Sequence, residues 1–393
     1  MSRKRESIIA HFDWFTLVTV FALVAFGLIS LASIMATPFT GEEQGLSAYV
    51  EKLNLEYVVR QAQNFMVGLA AMLVILVFDY EIYKPLINYA YIGIIALLAL
   101  LYAVGAVRGG AQAWFALDRL NRALQPSEIG KVVLIIMLSK YVSKGMEKTG
   151  KLHSFKDIAI ALGVALLPIG LVAVQPDLGT AAVYAVIMIF ILFIGRISWK
   201  WIGISLGVFA FAVVAAYIVM LKFFDISIFE YVADRFTSFA NPEADPLGAG
   251  YHMVQSKMAI GSGQMWGKGF FSAGTLAQLH YVPERHTDFI FAGIGEGVGF
   301  VGGAAVIVAY FVLLFRWMWI SYRARDSFGA CIAAGCMAMI LAHVFENIGM
   351  NIGLMPVTGI PLPFISYGGS NLLASMMCVG LVINVNMRRF KER

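Results

Sequence analysis

The chain has 393 residues, of which 60% are hydrophobic and only 13% charged, and its mean hydropathy is +0.78. A water-soluble domain of this length carries about a quarter charged residues, so the composition excludes an ordinary soluble enzyme. Apolar segments of membrane-spanning length recur along the whole chain, and a single secretory signal peptide does not explain them.

The apolar segments predict ten membrane spans. Their bounds are 14–35, 63–78, 86–106, 128–143, 156–174, 178–195, 200–221, 288–315, 328–350 and 366–387. We therefore predict an all-α polytopic membrane protein that forms one integral membrane domain over residues 1–393. The polar segment between spans seven and eight, residues 222–287, is unusually long, which is typical of a functional loop.

The basic residues predict the orientation of these spans. With the N-terminus in the cytoplasm, most of the 29 lysines and arginines fall on the cytoplasmic side. This distribution is what the positive-inside rule requires, and it places both termini in the cytoplasm and residues 222–287 outside. The net charge of +5 therefore reflects membrane topology and needs no nucleic-acid partner.

Four predicted spans open with helix-start signals on the outer side. These are Gln125-Pro126-Ser127-Glu128, Gln175-Pro176-Asp177-Leu178-Gly179, the residues from Pro283 to Asp288, and those from Pro361 to Ser366. Each one alone is ordinary for a helix N-terminus. Together they direct several positive helix ends at one side of the membrane, which suits an anionic ligand such as a pyrophosphate.

Charged residues inside the predicted spans are a second signal. Glu128 and Lys131 are three residues apart and share a helix face. They form either a structural ion pair or a lysine held for a phosphate, and the sequence favours neither. For Glu296 and Glu346, packing or pairing is the favoured role.

Asp288 stands at the water–lipid boundary, where the long loop meets span eight, directly after Arg285 and His286. A carboxylate in such a place can stay ionised and accept a proton from a hydroxyl group. The alternative is a helix-start carboxylate with no chemical role, and we favour the chemical one.

Two other patterns have structural explanations. Residues 297–302 match a dinucleotide-binding glycine pattern, yet no strand precedes them and they lie in an apolar span, so close helix packing through small residues explains them better. Cys331, Cys336 and Cys378 lie in apolar segments, which predicts buried small side chains without disulfides.

Six motifs in chain order resemble those of the SEDS proteins (shape, elongation, division, sporulation). They are Gln175–Thr180, Asn241-Pro242 with Asp245–Tyr251, Gln255-Ser256, Gly267–Gly269, His286–Phe291 and Pro361–Ser370. The resemblance extends over the whole chain. Phe12-Asp13-Trp14 and Val357–Pro361 resemble the RodA branch more than the division or sporulation branches.

The resemblance implies a glycosyltransferase that polymerises lipid II into glycan strands at the outer face of the bacterial cytoplasmic membrane. It also implies a class B penicillin-binding protein as a partner. The family's catalytic aspartate falls on Asp288, its functional tryptophan on Trp114, and its polar pair on Glu128 and Lys131. This sequence departs from the family in the stretch from Arg108 to Gln112, where the asparagine usual in this loop is displaced.

The expected chemistry needs one base and a positive environment for the leaving pyrophosphate. We assign Asp288 as the base and Lys131, Arg235 or Arg285 to the pyrophosphate. The remaining substrate-binding candidates are Asp177, Ser366 and Ser370. A divalent cation, Mg²⁺ or Mn²⁺, could share the charge, with Asp288 and Asp177 as candidate ligands, and no organic cofactor is expected.

Two other functions remain open from the residues. A lipid II flippase would use the same polar helix ends, although no inverted repeat is evident and the polar groups gather on one side. A scaffold that only binds a penicillin-binding protein would not need Asp288 at a helix opening.

Overall fold

The structure is a computed structural model that describes residues 11–37, 52–108, 111–117, 122–150, 152, 154–197, 201, 203, 207, 235–245 and 248–389. Helices dominate the described residues. Their bounds are α1 Trp14–Met35, α2 Glu56–Val77, α3 Tyr83–Val104, α4 Pro126–Thr149, α5 Phe155–Val174, α6 Leu178–Ile194, α7 Ala249–Ser262, α8 Ile290–Tyr322, α9 Ser327–Asn351 and α10 Gly369–Met387.

Seven helices in the described part of the chain are long and apolar enough to cross a membrane. They are α1, α2, α3, α5, α8, α9 and α10, so the chain is a membrane protein. In addition, α6 is apolar but shorter, and α4 carries the charges of Glu128, Lys131 and Lys140. Nine of the predicted spans thus coincide with helices, whereas the span at 200–221 lies almost entirely outside the described residues.

Several helices extend beyond the predicted spans. The N-terminal turns of α2 contain Glu56, Arg60 and Gln61, which the hydropathy pattern left out of the span. At its C-terminal end, α8 continues to Tyr322, beyond the predicted end of the span at residue 315. Helical hydrogen bonding does not stop where the lipid stops, so apolar length underestimates helix length.

A small antiparallel sheet corrects the all-α prediction. Strands β1 Ala106–Arg108, β2 Ala111–Leu117 and β3 Arg122–Leu124 form it in the order β1-β2-β3. The strands are three to seven residues long, too short for the hydropathy pattern to mark them.

The bundle is built around α9 and α10. In their most apolar 18-residue windows, 78% of residues of α9 and 83% of α10 are buried, against 17% for α2. The outer helices therefore leave apolar faces for lipid, while α9 and α10 are enclosed by protein. As predicted, Cys331, Cys336 and Cys378 are buried and unpaired.

The long segment before α8 contains its own ordered structure. Asp245 organises the start of α7, because its carboxylate accepts hydrogen bonds from Ser238 Oγ (2.8 Å), Gly248 N (2.9 Å) and Gly250 N (3.1 Å). These bonds hold the pKa of Asp245 below its usual value. The helix α7 then packs along α8, and the segment that follows α7 leads to Asp288.

Candidate active site

Asp288 lies two residues before α8, at the end of the bundle where the long segment returns. Its side chain is partly buried, and no Lys, Arg or His of the described chain forms a salt bridge with it. A carboxylate so placed keeps lone pairs free for a hydroxyl proton.

The main chain at Asp288 is fixed by two asparagines of α9. Asn347 Nδ2 and Asn351 Nδ2 both donate to the carbonyl oxygen of Asp288, at 2.8 and 2.9 Å. Asn351 Oδ1 also accepts from Ala292 N at 3.0 Å, so it supplies the cap that the start of α8 lacks from its own residues. These bonds hold the carboxylate in place without occupying its oxygens.

The surroundings of Asp288 raise its pKa into the neutral range, which suits a general base. Burial raises the pKa of Asp288 to about 7, with a further contribution from the negative charge of Glu284 and an opposing one from Arg235. A base that titrates near the working pH combines a useful ionised fraction with good proton affinity.

Two arginines bring positive charge to the same end of the bundle. Arg285 is buried, with Nη1 2.9 Å from Nδ1 of His280, and its Nε has no hydrogen-bond partner among the described residues. The charge of Arg285 lowers the pKa of His280. Arg235 donates to the carbonyl oxygen of Val357 at 2.5 Å and lowers the pKa of Asp288. Both place positive charge at the Asp288 end of the bundle.

The loop before α10 is bonded to the Asp288 segment. Ser366 Oγ donates to Thr287 O at 2.7 Å and accepts from Leu362 N at 2.8 Å. Gln61 of α2 supports this loop, donating to Ser366 O at 2.8 Å and accepting from Gly368 N at 3.2 Å. Ser366 therefore connects the two motifs that the sequence placed 79 residues apart.

Lys131 lies in a separate, fully buried polar cluster between α4, α9 and α10. Its ammonium donates to Glu128 Oε1 at 2.6 Å and to His343 Nε2 at 2.8 Å. Because an ammonium has no lone pair, His343 must accept through Nε2. Asn371 Nδ2 donates to the other oxygen of Glu128 at 3.2 Å. Of the two alternatives that the sequence left open, the ion pair between Glu128 and Lys131 is present. A phosphate-binding role for Lys131 remains a prediction.

Asp177 and Ser370 meet around Gln125, the residue before α4. Asp177 caps α6 by accepting from Thr180 N at 3.1 Å, and its other oxygen accepts from Gln125 Nε2 at 3.0 Å. Ser370 Oγ accepts from Gln125 N at 3.1 Å. Burial raises the pKa of Asp177. Both side chains thus have structural contacts, and their substrate role stays a prediction.

Trp114 lies in β2, paired with Ala106 of β1. No described contact joins it to Asp288, so the structure does not bring this candidate to the carboxylate.

Glu296 and Glu346, which the sequence treated alike, differ in the structure. Glu296 is paired, with Lys268 Nζ 2.6 Å from its Oε1. Glu346 is 4% exposed, and its Oε2 has no hydrogen-bond partner among the described residues. Pairing is therefore confirmed for Glu296 and not for Glu346.

Three polar residues of the site, His343, Asn347 and Asn351, were not predicted from the sequence. They are four residues apart on α9, so they share one face of a largely apolar helix. That spacing was a usable signal, since polar residues inside a span usually face a partner or a cavity.

The residues offer an incomplete site for a metal ion. In the described ranges, no three His, Cys, Asp or Glu side chains converge as metal ligands. Asp288 and Asp177 could supply at most two ligands between them. The protein alone therefore does not fit a divalent cation.

The chain resembles known proteins over most of its length. The FtsW, RodA and SpoVE family model, described as cell cycle protein, matches residues 13–391. The peptidoglycan glycosyltransferase MrdB of Escherichia coli K12 is 40% identical over 330 residues, which cover 84% of this chain and 85% of that protein.

Two solved structures share the fold. A chain from a complex described as coordinating polymerization and crosslinking by a peptidoglycan synthase has a TM-score of 0.75 and 27% identity, covering 97% of this chain and 99% of its own. The rod shape determining protein RodA of Thermus thermophilus has a TM-score of 0.67 and 25% identity, covering 97% and 98%.

Proposed function

This chain belongs to the FtsW, RodA and SpoVE family, and from that premise we propose that it is a peptidoglycan glycosyltransferase that polymerises lipid II into β-1,4-linked glycan strands during cell elongation. Asp288 is the general base. The observation that carries the assignment is the geometry of Asp288, whose main chain is fixed by Asn347 and Asn351 while no described Lys, Arg or His forms a salt bridge with its carboxylate.

The reaction is a single displacement at the anomeric carbon of the donor sugar. The 4-hydroxyl oxygen of the acceptor forms the new glycosidic bond, and the bond from the anomeric carbon to the lipid pyrophosphate breaks. Asp288 takes the hydroxyl proton as the bond forms. The pyrophosphate is already a good leaving group, so the site needs no strong acid, and the displacement inverts the α-linked donor to a β-linked product.

Positive charge must stabilise the departing pyrophosphate. Arg285 and Arg235 are the first candidates because both lie at the Asp288 end of the bundle, and the buried Nε of Arg285 has no described partner. Lys131 is bonded to Glu128 and His343, so its charge would act on the pyrophosphate from a distance, without direct contact. A divalent cation would need pyrophosphate oxygens to complete its ligands, and this mechanism does not depend on one.

The orientation and partner follow from the same assignment. We propose ten spans with both termini in the cytoplasm and residues 222–287 outside, which the charge distribution supports. The similar solved complex combines polymerization with crosslinking. This supports a class B penicillin-binding protein, a transpeptidase, as the partner of this chain.

The test is glycan-strand synthesis from purified lipid II, with the partner present, comparing the wild type with Asp288→Asn. The substitution preserves size and removes the base, so we expect the rate to fall on the order of 100-fold or more. Glu243→Gln is the matched control, because Glu243 is an exposed carboxylate of the same segment, and it should leave the rate unchanged.

Full activity of Asp288→Asn would refute the assignment of the base. If the wild type made no polymer but moved lipid II across liposome membranes, the flippase function would replace the polymerase.

A further inference from the structure

A short strap, residues 263–269, lies against the broken part of α8. The helix is interrupted at Gly299, and a break of this kind frees main-chain groups that must be bonded elsewhere. The strap bonds them. Phe300 N donates to Gln264 O at 2.8 Å and Val301 N to Met265 O at 3.1 Å, while Lys268 N donates to Glu296 O at 2.9 Å.

The contact between strap and helix is close enough to require glycine. Gly299 has φ 67° and Gly267 has φ 78°, a region that side chains disfavour. A Cβ on Gly299 would lie 2.3 Å from Gly267 N, and one on Gly267 would lie 2.3 Å from Gly297 O. The strap is therefore a fixed part of the fold.

Ion pairs and hydrogen bonds tie α8 to α1 at two levels. At the lower level, Arg316 Nη2 of α8 is 2.9 Å from Asp13 Oδ1, directly before α1. At the upper level, two adjacent residues of the long segment join the helices. Ala277 N donates to Glu296 Oε2 of α8 at 3.1 Å, and Gln278 Nε2 donates to Ser33 O of α1 at 3.2 Å.

These two levels give the depth of the strap. On both helices the upper and lower residues are about 20 positions apart, and at about 1.5 Å per residue this corresponds to roughly 30 Å. The hydrocarbon core of a bilayer is also about 30 Å thick. The end of the strap that is bonded at Glu296 therefore lies at the boundary between hydrocarbon and headgroups on the Asp288 side, and the end bonded at Val301 lies up to about 8 Å further in.

The strap presents apolar side chains at this depth. Trp266 is 79% exposed and Met265 54%, and directly below them Phe300 is 67% exposed. The patch continues into the exposed apolar stripe of α8, which includes Val308 and Phe311. A stripe on the outside of a spanning helix faces lipid, so the patch is the upper end of a lipid-facing surface.

We propose that Met265 and Trp266 insert into the headgroup boundary of the bilayer, which makes the strap an interfacial membrane anchor for the long segment. Tryptophan favours this boundary, and the Lys268 ammonium beside it stays paired with Glu296 at 2.6 Å. The occupant is the lipid leaflet on the Asp288 side. The anchor sets the depth of the segment that leads to Asp288, whose substrate would arrive in the same leaflet.

The test places a spin label on Trp266→Cys and measures its accessibility to oxygen, which concentrates in lipid, and to a water-soluble nickel chelate. The chain is reconstituted alone in phosphatidylglycerol and phosphatidylethanolamine vesicles. Its own three cysteines are buried, so the unsubstituted chain serves as the labelling blank. Val308→Cys marks the hydrocarbon centre, and Glu243→Cys marks water.

We expect the label at position 266 to lie between the two markers, with a ratio of oxygen to nickel accessibility several-fold above that of Glu243→Cys. Nickel accessibility equal to that of Glu243→Cys would overturn the proposal, since the strap would then stand in water. Low accessibility to both reagents would also overturn it, because protein would then cover the patch. The measurement uses no substrate, so its outcome is independent of the glycosyltransferase assignment.

Discussion

Asp288 and Glu296 are two carboxylates eight residues apart at the same end of α8, and their surroundings are opposite. Glu296 is 1% exposed and accepts from Lys268 Nζ at 2.6 Å, Leu276 N at 2.7 Å and Ala277 N at 3.1 Å. Among the described residues the Asp288 carboxylate has no such set of donors, although its main chain is held by two amides.

The difference separates a structural carboxylate, Glu296, from one that can act in the reaction, Asp288. A buried carboxylate whose lone pairs are all bonded stabilises the fold and has nothing left for a substrate. One that is held through its backbone, with a pKa raised to about 7, is able to take a proton. Four predictions test this division, beginning with the largest expected effect.

Glu296→Ala should destabilise the fold. It leaves the buried amide of Ala277, the partly buried amide of Leu276 and the Lys268 ammonium without their acceptor, at a cost of about 3 kcal/mol. The partial exposure of Lys268 keeps the cost below that of a fully buried pair. Thermal unfolding of the purified protein measures it. Glu296→Gln preserves an acceptor, so its loss of stability should be roughly a third of that caused by Glu296→Ala.

A Glu296→Gln protein with an unchanged Tm but no polymerisation would break the comparison, because Glu296 would then belong to the chemistry.

Asn351→Ala should slow polymerisation about tenfold, since it removes one of the two donors to the Asp288 carbonyl and the acceptor of Ala292 N. The loss should fall on kcat and leave KM nearly unchanged, because the carboxylate is displaced and substrate contacts are not. Initial rates over a range of lipid II concentrations separate the two constants.

Asn384→Ala is the matched control for that change. Asn384, on α10, is buried as Asn351 is, and it also donates to two carbonyl oxygens, Ile75 O at 2.6 Å and Phe78 O at 2.7 Å. These carbonyls belong to the end of α2 and the residue after it, away from Asp288. It should lower Tm without changing kcat of the folded protein. Equal kcat losses in both variants would show that Asn351 acts only through stability.

The polymerisation rate should rise with pH through about 7. Below that pH the Asp288 carboxyl is protonated and cannot accept the hydroxyl proton, and above it the carboxylate is present. At lipid II concentrations well below KM, where the rate reports the pKa values of the free protein, initial rates between pH 5.5 and 8.5 should therefore fall to half their plateau near pH 7. A flat profile would contradict a base with this pKa.

The smallest effect is a shift of that profile. The charge of Glu284 raises the pKa of Asp288 and that of Arg235 lowers it, so Glu284→Gln should move the acid limb down by roughly half a unit and Arg235→Gln should move it up. The opposite signs are the test. Shifts in the same direction would mean that the limb reports a group other than Asp288.

Part of this site was predictable from the sequence. The helix openings at Pro126 and Asp177 were confirmed as the starts of α4 and α6, because proline and capping residues act on the turn in which they occur. Glu128 and Lys131 were expected to share a face, since helical spacing fixes that relation. The glycines of residues 297–302 were expected to pack closely, and two of them contact the strap.

Other features were out of reach. Glu296 and Glu346 gave the same signal, yet only one has a lysine at hand, because Lys268 comes from a loop 28 residues away. The sheet at 106–124 also escaped, since its strands are short and lack a clear alternation of apolar and polar residues.

By itself, the sequence determined the class of the protein, the positions of most spanning helices and the motifs of its family. Hydropathy, helix capping and motif spacing are properties of neighbouring residues, so they can be read without the fold. The tertiary structure alone decided how each carboxylate is held. Glu296 is bonded through its carboxylate oxygens by Lys268, Leu276 and Ala277. Asp288 is held through its main-chain carbonyl by Asn347 and Asn351. These partners come from distant segments and meet only when the helices pack.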